Sequence, residues 1–325
     1  MIIPQYWAEG RVQHRQKGRQ VTVRRFGWSD TSPADAQANA DVRAQDALKR
    51  LLSGEKLPRR EPKIPYNGAH GVPIREEIVS RHGETIVTRN SYGARCLNTP
   101  NVLFADIDFQ VISSIRFTLG VGGILLLAAG AVGWFTHSRA IGIVLAVVML
   151  FVSETVARAI FRTIQLAKGG AEEAARSRIS RFLAQHPQWN LRVYRTPAGV
   201  RVMATHQTFS PNDPAVVECF RALGTDPIYT TMCLNQQCFR ARVSAKPWRI
   251  GIDKHMRPRP GVWPVASDSL SMRHAWIAAY EAAARSFAAC TLLETIGSGV
   301  IHPEAKVDQE LHDDLCRATT PLPMA

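Results

Sequence analysis

Twenty residues from Phe117 to Thr136, FTLGVGGILLLAAGAVGWFT, carry no charge. At 1.5 Å per residue this run is about 30 Å long as a helix, the thickness of a bilayer's hydrocarbon core. It predicts a spanning helix. The turn His137-Ser138-Arg139 leads into a second apolar run, Ala140 to Ser153, which reaches spanning length only by continuing past Glu154 to about Arg158. Glu154 and Arg158 stand at i and i+4 with the acid first, an orientation that favours pairing and lowers the cost of carrying both charges into the interface. The pattern therefore predicts a transmembrane helical hairpin over 116–161. Gly142 and Ala146 on its second helix, opposite Gly120, Gly123, Gly130 and Gly133 on its first, predict close self-packing. The turn carries only Arg139, whereas Arg116 precedes the pair and Arg158, Arg162, Lys168, Arg176, Arg178 and Arg181 follow it. By the positive-inside rule, both soluble segments and both termini face the cytoplasm from the inner membrane of a bacterium.

On either side the pattern changes to short alternating strands and amphipathic helices, the signature of an α+β fold. A strand over 20–28 is followed by a helix opened by Ser32 at the N-cap and Pro33 at N1, running to Leu52 and ended by Gly54. Residues 55–73, rich in Pro, Gly and charge, read as a linker that closes a small N-terminal strand-helix module over 1–60. Strands at 74–80 and 84–90 form a hairpin about Arg81-His82-Gly83, and VLFADIDF (102–109) is a further strand. Beyond the membrane come a helix over 172–185, strands at 191–195 and 200–206 joined by Thr-Pro-Ala-Gly, a helix at 213–223 and a strand at 238–244. A Pro-rich loop to Pro264 leads into a long helix from Asp268 to Ile296 and a last helix from Pro303 to Ala318. The expected organisation is one α+β domain built from 74–110 plus 170–265, with C-terminal helices over 266–325.

Composition adds a direction. Lys and Arg outnumber Asp and Glu by 40 to 27 in 325 residues, and the excess lies on both sides of the hairpin. Such a surface favours anionic partners: nucleic acid, nucleotides or anionic lipid headgroups. The six cysteines are too few and too scattered for a disulfide framework, and a cytoplasmic location implies free thiols. Cys233 and Cys238 have no second Cys or His pair at zinc-finger spacing and read as buried small side chains. The N-terminus, MIIPQYWAEGR, has no basic segment leading into an apolar one, so no secretory signal is expected.

The chemistry concentrates in three blocks. In Val102 to Phe109 the strand period of two puts Asp106 and Asp108 on one face and Leu103, Ala105, Ile107 and Phe109 on the other. Adjacent carboxylates repel unless a cation neutralises them, and oxygen ligands favour magnesium or manganese. Solvated acids on an edge strand would give the same pattern. The turn after Arg195 then delivers Arg201 and His206, and the third block, TDPIYTTMCLNQQCFRARVSAKPWR, holds Asp226, Tyr229, Arg240, Ser244 and Lys246.

Together these resemble the catalytic core of the archaeo-eukaryotic primase superfamily, in its primase-polymerase branch. FADIDF matches the first family element, and Asp226 to Lys246 matches the third in order and spacing. The resemblance covers roughly 75–250 without the hairpin. It implies an RRM-like primase palm sheet assembled from segments on both sides of the two-helix hairpin. It further implies that Asp106, Asp108 and Asp226 hold two Mg2+ or Mn2+ ions, that Arg240 and Lys246, with Arg201 and His206, contact a nucleotide, and that the reaction is two-metal nucleotidyl transfer. Two departures stand out. Arg201 occupies the place of the family's nucleotide-binding His, leaving His206 as the nearest His, and family members do not ordinarily carry a membrane hairpin. The alternatives are a non-catalytic membrane protein that binds nucleic acid or a protein partner through its basic face, and an unrelated fold in which the paired acids are structural.

Overall fold

The computed structural model describes residues 3–16, 19–61, 72–109, 114–167 and 169–325. The linker expected over 55–73 lies in part outside the described residues. Strands β1 (Tyr6–Gln16) and β2 (Arg19–Ser29) form an antiparallel ribbon, and helix α1 (Pro33–Leu52) lies across it. Ser32 caps α1 by accepting from the Asp35 amide at 3.1 Å, as its place before Pro33 predicts. The helix buries Ala36, Ala40, Ala44 and Ala47. A Cβ on Gly10 or Gly27 would come within 2.3 or 2.1 Å of the Ala40 backbone, so these two glycines let helix and ribbon backbones touch. The β1 strand, with polar residues on much of both faces, carries too little alternation to be read from sequence.

The remaining soluble elements form two four-stranded antiparallel sheets. One has the order β3 (Glu77–His82), β4 (Thr85–Arg89), β5 (Arg95–Thr99) and β9 (Phe239–Arg242). The other has the order β10 (Thr291–Gly297), β7 (Asn190–Thr196), β8 (Gly199–Ala204) and β6 (Phe104–Asp108). Helices α4 (Gly170–Gln185), α5 (Pro214–Leu223), α6 (Pro227–Gln236), α7 (Leu270–Ala284) and α8 (Pro303–Cys316) complete the body. One continuous apolar core joins strand residues such as Leu97, Phe104, Ile107, Val193 and Val202 to Ile179, Phe182, Phe220 and Cys316 from the helices.

Because β8 is antiparallel to both β6 and β7, those two strands run parallel with β8 between them: a split β-α-β unit. In the β-α-β-β-α-β palm that the resemblance implies, the last strand flanks the first. Here β10 joins the opposite edge, beside β7, and the free edge of β6 is met instead by the Asp226 amide, which donates to the Asp106 carbonyl at 3.0 Å. The sheet is α+β with the split unit of a palm but a different strand order.

The crossover between β6 and β7 contains helices α2 (Ile115–Phe135) and α3 (Arg139–Ala167) ahead of α4. Both α2 and the Arg139–Ile164 part of α3 are long and apolar enough to cross a membrane, and only 6% of each apolar window is buried. Leu127, Trp134, Phe135 and Phe151 are each more than three-quarters exposed. A soluble core helix would cover such side chains; a lipid-facing one leaves them outward. Glu154 and Arg158 form the expected ion pair. The glycine seam is narrower than expected: Gly133 and Gly142 approach so closely that a Cβ on Gly133 would lie 2.9 Å from the Gly142 Cα, while Gly120, Gly123 and Gly130 face open space. At the other end Phe117 meets Phe161 with ring centroids 5.9 Å apart, so the two ends of the insertion lie side by side.

The helix expected from Asp268 to Ile296 is corrected. α7 ends at Ala284, and Thr291–Gly297, placed among the C-terminal helices by its sequence, is strand β10. Thr291, Thr295 and Ile296 are β-branched, and the open edge of β7 supplies their hydrogen bonds. Strand β5 and helix α6 are not among the elements the sequence pattern predicts; α6 is capped by Asp226, whose carboxylate accepts from the Ile228 and Tyr229 amides at 3.3 and 3.2 Å.

Candidate functional site

Strand register brings the first two blocks together. Asp106 lies opposite Arg201 and Asp108 opposite Gly199. A Cβ on Gly199 would stand 2.0 Å from the Ile107 carbonyl, so only glycine lets the β7–β8 turn close against β6. Arg201, 2% exposed, clamps Asp106 in two bonds: Nε donates to Oδ1 at 2.7 Å and Nη2 to Oδ2 at 3.2 Å. Its remaining nitrogen, Nη1, donates to the Arg242 carbonyl at 2.9 Å and lies 3.4 Å from His312 Nε2. Although burial works against its charge, Asp106 holds the Arg201 guanidinium above its ordinary pKa.

The third block arrives at the same edge through the Asp226 amide. Asp108 is exposed, and its carboxyl is raised by partial loss of solvent and by the charges of Asp106 and Asp226, against the opposing pull of Lys246 and Arg242. Lys246 is lowered by partial burial and by the neighbouring Arg242 and Arg249, while Asp108 and Asp106 raise it. Its Nζ lies 5.4 Å from the ring centroid of Trp248, which is half exposed and edge-on to Tyr92. Among the described residues Arg242, Lys246 and Arg249 form no ion pair within 4.0 Å, which leaves a cationic cluster beside Asp108.

Two sequence-picked residues lie elsewhere. Arg240 is 4% exposed, and its Nη2 donates to both Glu76 carboxylate oxygens at 2.8 and 2.6 Å while Nη1 donates to Asn98 Oδ1 at 2.7 Å. This pair cross-links the β3–β9 sheet from inside. His206 lies beyond the Ala204 end of β8, whereas the acids lie toward its Gly199 end. Its ring packs against Trp189 at 4.7 Å and Phe209 at 5.4 Å. Tyr229 and Ser244 also serve the frame: Tyr229 Oη donates to the Phe104 carbonyl at 2.9 Å, and Ser244 Oγ accepts from the Arg95 amide at 2.7 Å.

A two-metal cluster needs carboxylate oxygens free to face a cation. Each Asp106 oxygen accepts from Arg201 and each Asp226 oxygen caps α6, so these two carboxylates are partly engaged by the protein, while among the described residues Asp108 is exposed and accepts no side-chain hydrogen bond. Among the described residues, the metal-type ligand atoms that converge are those of Cys290, His312 and Cys316, all buried and within 4.8 Å of one another. The spacing of paired cysteines does not reveal this trio, because its members come from two separate segments. The available signal was His312 and Cys316 at i and i+4 on one helix face.

Burial against Trp189 and Phe209 pushes the His206 imidazole down from its ordinary 6.5 to about 4. A depressed histidine is neutral when folded and binds more protons when unfolded, so its contribution is complete above about pH 6.5 and lost as pH falls toward 4. We expect NMR to report a His206 midpoint near 4, and His206→Gln to flatten the stability slope between those limits. A midpoint near 6.5 would show that the ring is solvated.

No protein-family model, no curated protein and no solved structure matches this chain.

Proposed function

We propose that this chain is a membrane-anchored protein whose cytoplasm-facing body binds phosphate-bearing ligands, nucleotides or nucleic acid, through the cationic cluster Arg242, Lys246 and Arg249. In the state described it does so without phosphoryl transfer. The observation that carries this reading is the Arg201 clamp, which occupies Asp106, the first carboxylate of the expected metal site. Beside it, cations without ion-pair partners and an exposed Trp248 offer the combination that holds a phosphate and stacks on a base.

A second reading is a metal-dependent nucleotidyltransferase of the primase-polymerase type. It is favoured by the arrival of Asp226 at the edge that carries Asp106 and Asp108, and it requires Arg201 to release Asp106.

One set of measurements separates them. The detergent-purified chain is titrated with fluorescent single-stranded DNA and with ATP across a salt series, then assayed for primer extension with Mn2+. Salt-dependent binding that falls at least about tenfold in Lys246→Ala/Arg249→Ala, with no extension, is the expected result. Extension that depends on Mn2+ and disappears in Asp108→Ala, a substitution at an exposed position, with Tm unchanged, would establish the second reading. Absence of both binding and extension would overturn the two together.

A further inference from the structure

A second cluster lies beside Arg201, whose Nη1 is 3.4 Å from His312 Nε2. Cys290 stands just before β10, and His312 and Cys316 stand one turn apart on α8. All three are fully buried. Backbone bonds hold the two segments together: the Ala289 amide donates to the Cys316 carbonyl at 2.9 Å, and the Leu292 amide to the Ala318 carbonyl at 2.8 Å.

From this geometry we propose that Cys290, His312 and Cys316 bind one thiophilic divalent ion, Zn2+, that fastens α8 to the segment leading into β10.

Three features carry the assignment. First, the spacing fits. With Zn–S near 2.3 Å and Zn–N near 2.1 Å at tetrahedral angles, a sulfur and a nitrogen on one ion are about 3.6 Å apart; Cys316 Sγ and His312 Nε2 are 3.5 Å apart. Second, the histidine is already oriented. Its Nδ1 lies 3.2 Å from Asp313 Oδ1, so the proton sits on Nδ1 and the Nε2 lone pair faces the two sulfurs, as in carboxylate–histidine–zinc arrangements. Asp313 is itself fixed by the Tyr194 hydroxyl at 2.7 Å and by Arg192. Third, the charges balance. Two thiolates neutralise a divalent ion, and Arg201, the nearest cation, is already offset by Asp106. With Nε2 on the ion, Arg201 keeps its bonds to Asp106 and to the Arg242 carbonyl. Binding releases the two thiol protons to solvent.

The test uses the full chain, purified in detergent under reducing conditions. Elemental mass spectrometry should find about one zinc per chain. After its removal, Co2+ should produce a thiolate-to-cobalt charge-transfer band that Zn2+ abolishes. Cys290→Ser and Cys316→Ser should weaken Co2+ binding at least about tenfold, and Asp313→Asn, which leaves all three ligands in place, by about 10–100-fold. Cys219→Ser, buried elsewhere in the core, should leave the band unchanged. Should a ligand variant fail to fold, the wild-type band and its displacement by Zn2+ decide alone. Reduced wild-type protein with no bound zinc and no thiolate band overturns the proposal. So does a band that survives both cysteine variants, or a Cys290–Cys316 disulfide in protein isolated with its thiols blocked.

Discussion

Replacing Asp106 with leucine is expected to destabilise the soluble body by about 3–5 kcal/mol, because it strands the Arg201 guanidinium in the core without its counter-ion. For a chain of this size that corresponds to a fall of about 10 °C in Tm, read by circular dichroism or differential scanning in detergent. The partner substitution discriminates further. Asp106→Leu combined with Arg201→Met replaces a buried ion pair by apolar contacts and should recover most of the loss, giving a coupling energy well above the few tenths expected of independent sites. The sign also separates the two functional readings. A carboxylate kept for a metal and held against Asp108 by the fold would be a source of repulsion in the metal-free protein, and its removal would raise Tm. A rise, or no change, would remove the clamp from the argument and favour the enzyme.

The second large effect concerns the hairpin. Excising Thr118–Ile160 and joining the ends with a short Gly-Ser linker should move the chain from the membrane fraction to the soluble one while leaving its folded body intact. The ends are adjacent, as the Phe117–Phe161 contact shows, so the linker has little distance to cover. The sheets do not depend on the hairpin for pairing: β5 bonds to β9 and β6 to β8, all outside the removed segment. Sedimentation after carbonate extraction, with Tm as the measure of integrity, gives the result. Continued membrane retention would place the anchor elsewhere, and a collapse of Tm would make the hairpin part of the structural core.

Sequence periodicity carried the local elements well where they were regular. The uncharged run of α2, the Ser32 cap of α1 and the Thr-Pro-Ala-Gly turn of the β7–β8 hairpin each have one strong local cause. It failed where partners decide. Thr291–Gly297 follows a helix and lacks a clear break from it, and only the open edge of β7 makes it a strand. Around the candidate site, the one-faced placement of Asp106 and Asp108 follows from the strand period of two, and the Asp226 amide meets the Asp106 carbonyl on the free edge of the same strand. What could not be read was occupancy. That Arg201 would turn onto Asp106, or Arg240 onto Glu76, depends on register across strands separated by about a hundred residues or more. His206 is near Arg201 in sequence, but the extended strand carries it past the end of β6.

The position of the hairpin within the crossover also fixes an order of events during synthesis. When β6 leaves the ribosome, its partner β8 is still to be made, and so is the β9 strand that closes the other sheet onto β5. On the proposed membrane reading, the two apolar helices emerge first and are handed to the membrane while both sheets are unfinished. On that reading insertion precedes completion of the two sheets, and a chain that misses the membrane exposes an apolar hairpin together with unpaired strand edges, the combination that aggregates most readily.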